Sequence, residues 1–117
     1  MTSPFLRRVN ESLKEAIADE VSRLKDPGLG FVTITAVDTA PDLRSARVYY
    51  SVLGEDEQAE STADALDRAR PHVRSEVGKR VRLKYLPELR FESDQSIEQG
   101  MRIEYLLAEI HEREEAE

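Results

Sequence analysis

The amino-terminal part of the chain has an apolar residue at nearly every third or fourth position. These residues are Phe5, Val9, Leu13, Ile17, Val21 and Leu24. Such spacing places one apolar stripe along a helix of about six turns. Ser3 can cap this helix and Pro4 can open it, because a proline in the first turn leaves no N–H unpaired. The sequence Asp26-Pro27-Gly28-Leu29-Gly30 then ends the helical pattern.

Three later segments have the two-residue alternation of β-strands. Residues 31–37 and 46–53 read FVTITAV and ARVYYSVL, and both are rich in β-branched or aromatic residues. The sequence Ala40-Pro41-Asp42 between them suits a turn, so we expect an antiparallel pair. Residues 87–93 predict a third, shorter strand, in which Leu89 and Phe91 point to the opposite side from the charged residues Glu88, Arg90 and Glu92.

Helical spacing returns between residues 57 and 83. The predicted apolar face consists of Ala59, Ala63, Leu66, Ala69, Val73, Val77 and Val81. Pro71 interrupts this pattern, because it has no N–H and its ring would collide with the carbonyl of Asp67, a penalty of ~3 kcal/mol in a straight helix. We therefore predict two helices that meet at an angle at Ala69-Arg70-Pro71.

The carboxyl-terminal part predicts one more short helix. Ser96 followed by Gln99 resembles a capping box, and a broad apolar face follows at Ile97, Met101, Ile103, Leu107 and Ile110. Residues 111–117 contain no large apolar side chain, so we expect them to fray. The whole chain predicts an α+β fold in one domain, residues 1–110, with an acidic tail at 111–117.

Composition narrows the classes of protein to which the chain can belong. Its 117 residues are enough to bury one core without metals or cross-links. The absence of cysteine excludes disulfides and cysteine-based zinc sites. No apolar run approaches the roughly 18 residues of a membrane helix, and the start of the chain lacks the apolar segment of a secretory signal. We expect a cytoplasmic protein that does not contact membranes.

Charge is segregated along the chain, although its formal net value is -7. Residues 55–67 contain six acids and no base, and residues 92–117 contain nine acids and two bases. Between them lies what we call the basic block, namely Arg68, Arg70, Arg74, Lys79, Arg80, Arg82 and Lys84. One interpretation is a surface that attracts a polyanion, and the other is a solvated helix face balanced by acidic neighbours.

Two long stretches of the chain resemble a known family. They are DPGLGFVTITAVDTAPDLRSARVYYSVL and LKYLPELRFESDQSIEQGMRIEYLL, and the resemblance runs from about Arg7 to Ile110. The family is bacterial ribosome-binding factor A. The resemblance implies an α-β-β-α-α-β domain of the type II KH kind. It also implies binding to the small ribosomal subunit and its RNA and assistance in late maturation of 16S ribosomal RNA, notably in the cold.

The chain departs from this family at one motif. The family replaces the Gly-x-x-G loop of KH domains with a helix-kink-helix marked Ala-x-Gly, whereas the matching positions here are Ala69-Arg70-Pro71. Glycine permits a kink through its conformational freedom, but proline would produce one by removing a hydrogen bond and restricting Arg70. The resemblance therefore leaves the kink angle and the approach of RNA to the backbone open.

Helical geometry predicts how the basic block would meet RNA. At about 100° per residue, Lys79 and Arg82 lie opposite the stripe of valines, and Arg74 and Arg80 lie on its shoulders. Arg68 and Arg70 add charge at the kink, and Lys84 extends the surface beyond the helix. Arg7 and Arg8 either join this surface or are simply solvated. Phosphate contacts of this kind position a protein without reading bases, so folded RNA of defined shape is the expected ligand.

Other functions are weighed against RNA binding. Glu92 and Asp94 are the best pair of carboxylates for catalysis, but strand residues two apart are commonly one solvated face. His72 and His111 are the only histidines and are far apart in the sequence, so we predict no catalytic site, no metal and no cofactor. Two alternatives stay open, a generic KH-like binder of single-stranded RNA and a module that docks a ribosomal protein through its acidic segments. We expect a monomer.

Overall fold

The computed structural model describes residues 3–94, which form a mixed arrangement of helices and one sheet. The elements in chain order are α1 (Pro4–Ser22), β1 (Phe31–Thr39), β2 (Ser45–Leu53), α2 (Asp56–Arg80) and β3 (Glu88–Ser93). The predicted α+β class is confirmed, and so are the first helix and all three strands. The predictions of a last helix at 97–110 and of a frayed tail at 111–117 lie outside the described residues.

Helix α1 begins and packs as its sequence predicts. The backbone N–H of Leu6 donates to Ser3 Oγ at 3.1 Å, and Pro4 occupies the first turn. The apolar stripe buries Val9, Leu13, Ile17 and Val21 against the sheet and α2. Phe5 departs from the prediction, because 53% of it is exposed. The stripe therefore reaches the core only from the second turn onward.

The sheet has the strand order β1-β2-β3. Strands β1 and β2 are antiparallel, from Phe31 opposite Leu53 to Thr39 opposite Ala46, with a bulge between Ile34 and Ala36. The turn between them has the N–H of Ala40 donating to the carbonyl of Ser45 at 2.9 Å. Strand β3 pairs with β2 in parallel. A parallel neighbour needs a crossover, and α2 supplies it.

One face of the sheet carries the core and the other is uncovered by the described helices. The inward positions include Ile34, Val48, Tyr50 and Leu89, all of which are buried. Both helices pack on this side, where Leu66, Val73 and Val77 of α2 join the stripe of α1. We call the opposite side the outer face. The exposed surface of the helices therefore points away from the outer face of the sheet.

Helix α2 runs through Pro71 without a break, so the prediction of two helices is wrong. Pro71 is exposed, as is Asp67, whose carbonyl loses the helical hydrogen bond and can be hydrated instead. On the opposite side, the buried positions Thr62, Leu66, Val73 and Val77 stay in phase across the proline. Burial along this stripe outweighs the lost bond. A bend at Pro71 within this one helix stays a prediction.

Two further details of α2 differ from the sequence prediction. Ala63 is exposed, and Thr62 and Ala65 are buried in its place. The Thr62 hydroxyl accepts the N–H of Gly30 at 2.9 Å, which fixes the loop after α1 to α2. The helix also ends at Arg80 rather than Leu83, because Val81 is extended, with φ -108 and ψ 121. This turn lets Val81, Leu83 and Leu86 pack against the core.

Replacing Pro71 with alanine should stabilise the protein. An interior proline costs a helix ~3 kcal/mol, and alanine restores the N–H that can donate to Asp67. Because the native conformation is already helical at this position, we expect the free energy of unfolding to rise by roughly 1–3 kcal/mol in urea titrations. A neutral or destabilising result would mean that the helix needs the proline, as it would if Pro71 opened a separate helix.

Candidate nucleic-acid interface

Arg68 ties α2 to the loop that follows α1. Its guanidinium donates to both carboxylate oxygens of Asp26, at 3.0 and 3.3 Å. The same carboxylate accepts the N–H of Gly28 at 2.8 Å. These two interactions, the Gly28 hydrogen bond first and Arg68 second, lower the pKa of Asp26 below its ordinary value of 3.8. Arg68 thus has a structural partner in addition to any role in binding.

The low pKa of Asp26 predicts a specific dependence of stability on pH. A carboxylate whose pKa is depressed by folding stabilises the protein above its unfolded pKa, and that contribution disappears as the pH falls through the folded value. We therefore expect Asp26→Asn to lower the unfolding free energy at pH 7 and to show a smaller further loss than the wild type between about pH 5 and pH 3. Asp64→Asn, at an exposed carboxylate of α2, is the matched control. Parallel pH curves for wild type and Asp26→Asn would contradict the assignment.

Arg74 holds the segment between α2 and β3. Its Nε donates to the carbonyl of Pro87 at 3.1 Å, and a terminal nitrogen donates to the carbonyl of Leu86 at 2.7 Å. The carboxylate of Glu88 lies 3.7 Å away. Pro87 is buried and Leu86 is partly buried, so these carbonyls need a donor from the protein. Arg74 therefore fixes the start of β3, and two of its nitrogens already donate hydrogen bonds within the protein.

Arg80 joins the end of α2 to α1. It pairs with Asp19 at 2.5 Å and with Glu20 at 3.2 Å, and the Glu20 side chain is only 7% exposed. Hydrogen bonds to these two carboxylates, the one to Asp19 first, raise the pKa of Arg80. A buried carboxylate needs a cation beside it. Arg80 therefore neutralises Glu20, and the sequence prediction of a free shoulder residue overlooked this acidic pair on α1.

Two cations of the basic block have, among residues 3–94, carboxylate partners only within α2. Arg70 lies 3.4 Å from Asp67, and Lys79 lies 2.9 Å from Glu76. The hydrogen bond from Lys79 is the main cause of the lowered pKa of Glu76. Exposed pairs three residues apart on a helix contribute only about 0.2–1 kcal/mol. Both cations can therefore exchange their carboxylate for a phosphate at little cost.

Arg82 and Lys84 have no carboxylate partner among residues 3–94, and both are exposed. The Lys84 ammonium lies over the ring of Tyr85, 5.6 Å from its centre. Arg82 follows the end of α2 instead of lying on the helix as predicted. The Arg82 guanidinium can nevertheless bind a phosphate without first breaking an ion pair within residues 3–94.

An open groove of about 570 Å³ lies between residues 5–16 of α1 and residues 80–83. Three cations line it, Arg8, Arg80 and Arg82, against one carboxylate, Glu15. Its remaining lining is mostly apolar and includes the exposed ring of Phe5. Arg8 and Arg82 are far apart in the sequence, and the packing of α1 on α2 places them in one groove. We call this site the basic groove.

The basic block is thus divided by the structure. Arg68 and Arg70 lie ten or more residues before Arg80 on α2, about 15–18 Å away at 1.5 Å per residue. Arg7 is exposed on α1 but does not line the basic groove. The participation in RNA binding of the basic block, of Arg7 and of Arg8 stays a prediction. Phe5 and Glu15 are groove residues that charge patterning alone does not reveal.

The part of the chain that the structure describes contains neither a group of metal ligands nor a helix suited to a membrane. Within residues 3–94, no three side chains of the metal-ligating types histidine, aspartate and glutamate come together as a metal site would require. No helix in this range is both long and apolar enough to cross a membrane.

Comparison with known proteins settles the family. A model described as ribosome-binding factor A matches residues 6–107. The ribosome-binding factor A of Desulfitobacterium hafniense is 50% identical over 109 residues, which cover 92% of this chain and 87% of that protein. The chain belongs to the ribosome-binding factor A family. The resemblance found in the sequence is therefore confirmed.

Solved structures of ribosome-binding factor A share the fold. The crystal structure of the Thermus thermophilus protein has a TM-score of 0.68 and 32% identity, covering 75% of this chain and 94% of that one. Thermus thermophilus ribosome-binding factor A has also been fitted as a homology model into an electron microscopy map of its complex with the 30S subunit. That model has a TM-score of 0.62 and 34% identity, with 74% and 91% of the two chains covered.

Proposed function

We propose that this protein binds the small (30S) ribosomal subunit and assists late maturation of its 16S ribosomal RNA. Membership of the ribosome-binding factor A family supports this function, as does the 30S complex of the Thermus thermophilus relative. The element order of residues 3–94 is compatible with a KH-like domain. The protein acts as a monomeric, cytoplasmic assembly factor.

The basic groove is the proposed contact with ribosomal RNA. The observation that carries this assignment is that Arg8 and Arg82 line the same groove and that neither has a carboxylate partner among residues 3–94. An unpaired arginine can bind a phosphate through two N–H groups without first breaking an ion pair. Lys79 and Arg70 add weakly held charge along α2, and Lys84 adds more beyond it. Binding of this kind recognises RNA shape and backbone.

The proposed function involves no catalysis by the protein itself. Glu92, one of the two carboxylates considered for catalysis, lies 3.9 Å from Arg47 on the neighbouring strand. Asp94, the other, accepts a hydrogen bond from Thr35 at 2.6 Å. His72 is exposed on α2 and has no hydrogen bond to another residue in the described range. The contacts of Glu92 and Asp94 therefore support structural roles for these two candidate catalytic carboxylates.

Sedimentation with purified particles tests the proposal. The protein should sediment with isolated small subunits at micromolar concentration, and much less with large subunits or with single-stranded oligonucleotides. Cells depleted of it should accumulate precursor 16S ribosomal RNA. Equal binding to oligonucleotides would favour the generic RNA-binding module, and binding to a ribosomal protein without RNA would favour the protein-docking module. Either result would contradict the proposed function.

A further inference from the structure

A second open groove, of about 550 Å³, lies at the end of the sheet where β2 and β3 begin. Its lining comes from the turn between β1 and β2, from α2 and from the segment before β3. The lining residues are Asp42, Arg44, Arg74, Tyr85, Leu86 and Glu88. None of them lines the basic groove, so the two sites are separate. We call this second site the tyrosine groove.

Hydrogen bonds hold the walls of the tyrosine groove in place. The N–H of Glu88 donates to the carbonyl of Arg44 at 2.9 Å, which joins the turn to the start of β3. Within the turn, the Asp42 carboxylate accepts the N–H of Arg44 at 3.1 Å, and Leu43 has φ 63, a left-handed conformation that leucine rarely adopts. Arg74 holds the other wall through the two carbonyls that precede β3. A ligand therefore meets preformed walls, and its binding does not require a loop to become ordered.

Tyr85 presents its aromatic ring to water rather than to the core. The residue is 62% exposed, and its ring lines the groove. The Lys84 ammonium lies 5.6 Å from the centre of the ring, but Lys84 does not line the groove. The ammonium therefore covers the ring from outside the groove and leaves its groove side open. Proteins that bind single-stranded nucleic acids stack bases on aromatic rings and hold the phosphates with nearby cations.

The charges that line the tyrosine groove balance one another, which favours a neutral ligand group. Two cations, Arg44 and Arg74, stand against two carboxylates, Asp42 and Glu88. A cationic side chain of a protein would meet Arg44 as a like charge, whereas a nucleic-acid base is neutral. Carboxylates accept hydrogen bonds from the amino groups of bases. Arg44 and Lys84, which form no ion pair among residues 3–94, are left for phosphates.

We infer that the tyrosine groove binds one unpaired nucleotide of RNA, with its base stacked on Tyr85 and an amino group of that base donating to Asp42 or Glu88. Arg44 and Lys84 hold the adjacent phosphates. Adenine, cytosine and guanine carry such an amino group and uracil does not, so the groove discriminates against uridine. This inference rests on the proposed function for the source of the RNA, since ribosomal RNA supplies the nucleotide in the complex.

Short oligonucleotides test the groove without ribosomes. The probes are pentacytidylate and pentauridylate, two pyrimidine strands that differ in the amino group of cytosine. Titrations followed by nuclear magnetic resonance of the tyrosine rings should shift the Tyr85 signals at roughly millimolar concentrations, with pentacytidylate bound roughly 5-fold more tightly. Tyr85→Ala should weaken the binding of pentacytidylate roughly 10-fold. Equal affinities for the two probes, or shifts confined to the other tyrosines, would overturn the inference.

Sedimentation with small subunits tests the same contact in the complex. Tyr85→Ala should weaken binding roughly 10-fold, whereas Tyr85→Phe should keep it, because phenylalanine retains the stacking ring. Phe31→Ala is the matched control, since Phe31 is 81% exposed but lies at the opposite end of the sheet. Its affinity should stay within about 2-fold of wild type.

The two experiments separate the inference from the proposed function. If the wild type does not bind small subunits, the proposed function fails, and the oligonucleotide titrations alone decide the inference. If the wild type binds, equal affinity of Tyr85→Ala or an equal loss in Phe31→Ala would overturn the inference. A loss seen only with subunits, without shifts of Tyr85 by the oligonucleotides, would also overturn it, because the ring would then contact a ribosomal protein.

Discussion

Replacing both Arg8 and Arg82 with glutamate should weaken binding to the small subunit by roughly 100-fold. Each arginine offers charge-assisted hydrogen bonds worth about 1.5 kcal/mol or more. The loss of two such contacts amounts to about 3 kcal/mol, which is about 100-fold in the dissociation constant. The fold should persist, because both side chains are exposed and neither has an ion pair among residues 3–94. Circular dichroism and quantitative sedimentation measure the two properties.

A second double variant controls for total charge. Lys25→Glu with Arg90→Glu changes the net charge by the same amount, but Lys25 follows α1 and Arg90 points to the outer face of the sheet. We expect its affinity to fall by less than about 10-fold, through long-range electrostatics alone. Equal losses in the two double variants would show that only net charge matters and that the basic groove is not the contact.

Replacing Leu66 with alanine should destabilise the protein by about 2–5 kcal/mol. Leu66 is fully buried at the centre of α2, where it joins the core formed with α1 and the sheet. The change removes three buried carbon atoms and leaves a cavity that the two helices and the sheet cannot easily close. For a domain of this size, the melting temperature should fall by roughly 10 °C or more.

Leu66→Met is the matched control, because methionine conserves most of the volume. It should cost less than about 1.5 kcal/mol. Binding by folded Leu66→Ala at low temperature should stay close to wild type, since Leu66 does not line the basic groove. A loss of less than about 1 kcal/mol in urea titrations would contradict the placement of this stripe in the core.

Local patterns predicted the elements that are governed by local physics. Val9, Leu13 and Ile17 set the face of α1, and alternation in FVTITAV and ARVYYSVL identified two strands. Ser3 and Pro4 marked the start of α1 because capping involves only neighbouring residues. The predicted break at Pro71 was wrong because contacts between distant residues decide the structure there. The local penalty of the proline is real, but the stripe of α2 that packs on the other elements outweighs it.

The candidate site was less predictable, because its geometry depends on contacts between distant residues. Charge spacing located the basic block. It did not show that Arg80 forms ion pairs with Asp19 and Glu20, or that Arg74 donates hydrogen bonds to two backbone carbonyls. Arg82 was placed on a helix that ends before it. Arg8 and Arg82 line the same groove because α1 packs on α2, which the sequence did not show. Charge alone predicts only that the partner is a polyanion. The resemblance to the family is what made the small ribosomal subunit the expected partner.

The salt dependence of binding tests most directly whether the basic groove contacts RNA phosphates. The dissociation constant for purified small subunits is measured from about 50 to 200 mM salt, for wild type and for the Arg8→Glu, Arg82→Glu variant. Each phosphate contact contributes about 0.7–0.9 to the slope of log affinity against log salt. Loss of two contacts should therefore reduce the slope by about 1.4–1.8. An unchanged slope, even with weaker binding, would contradict direct contact between this groove and the RNA backbone.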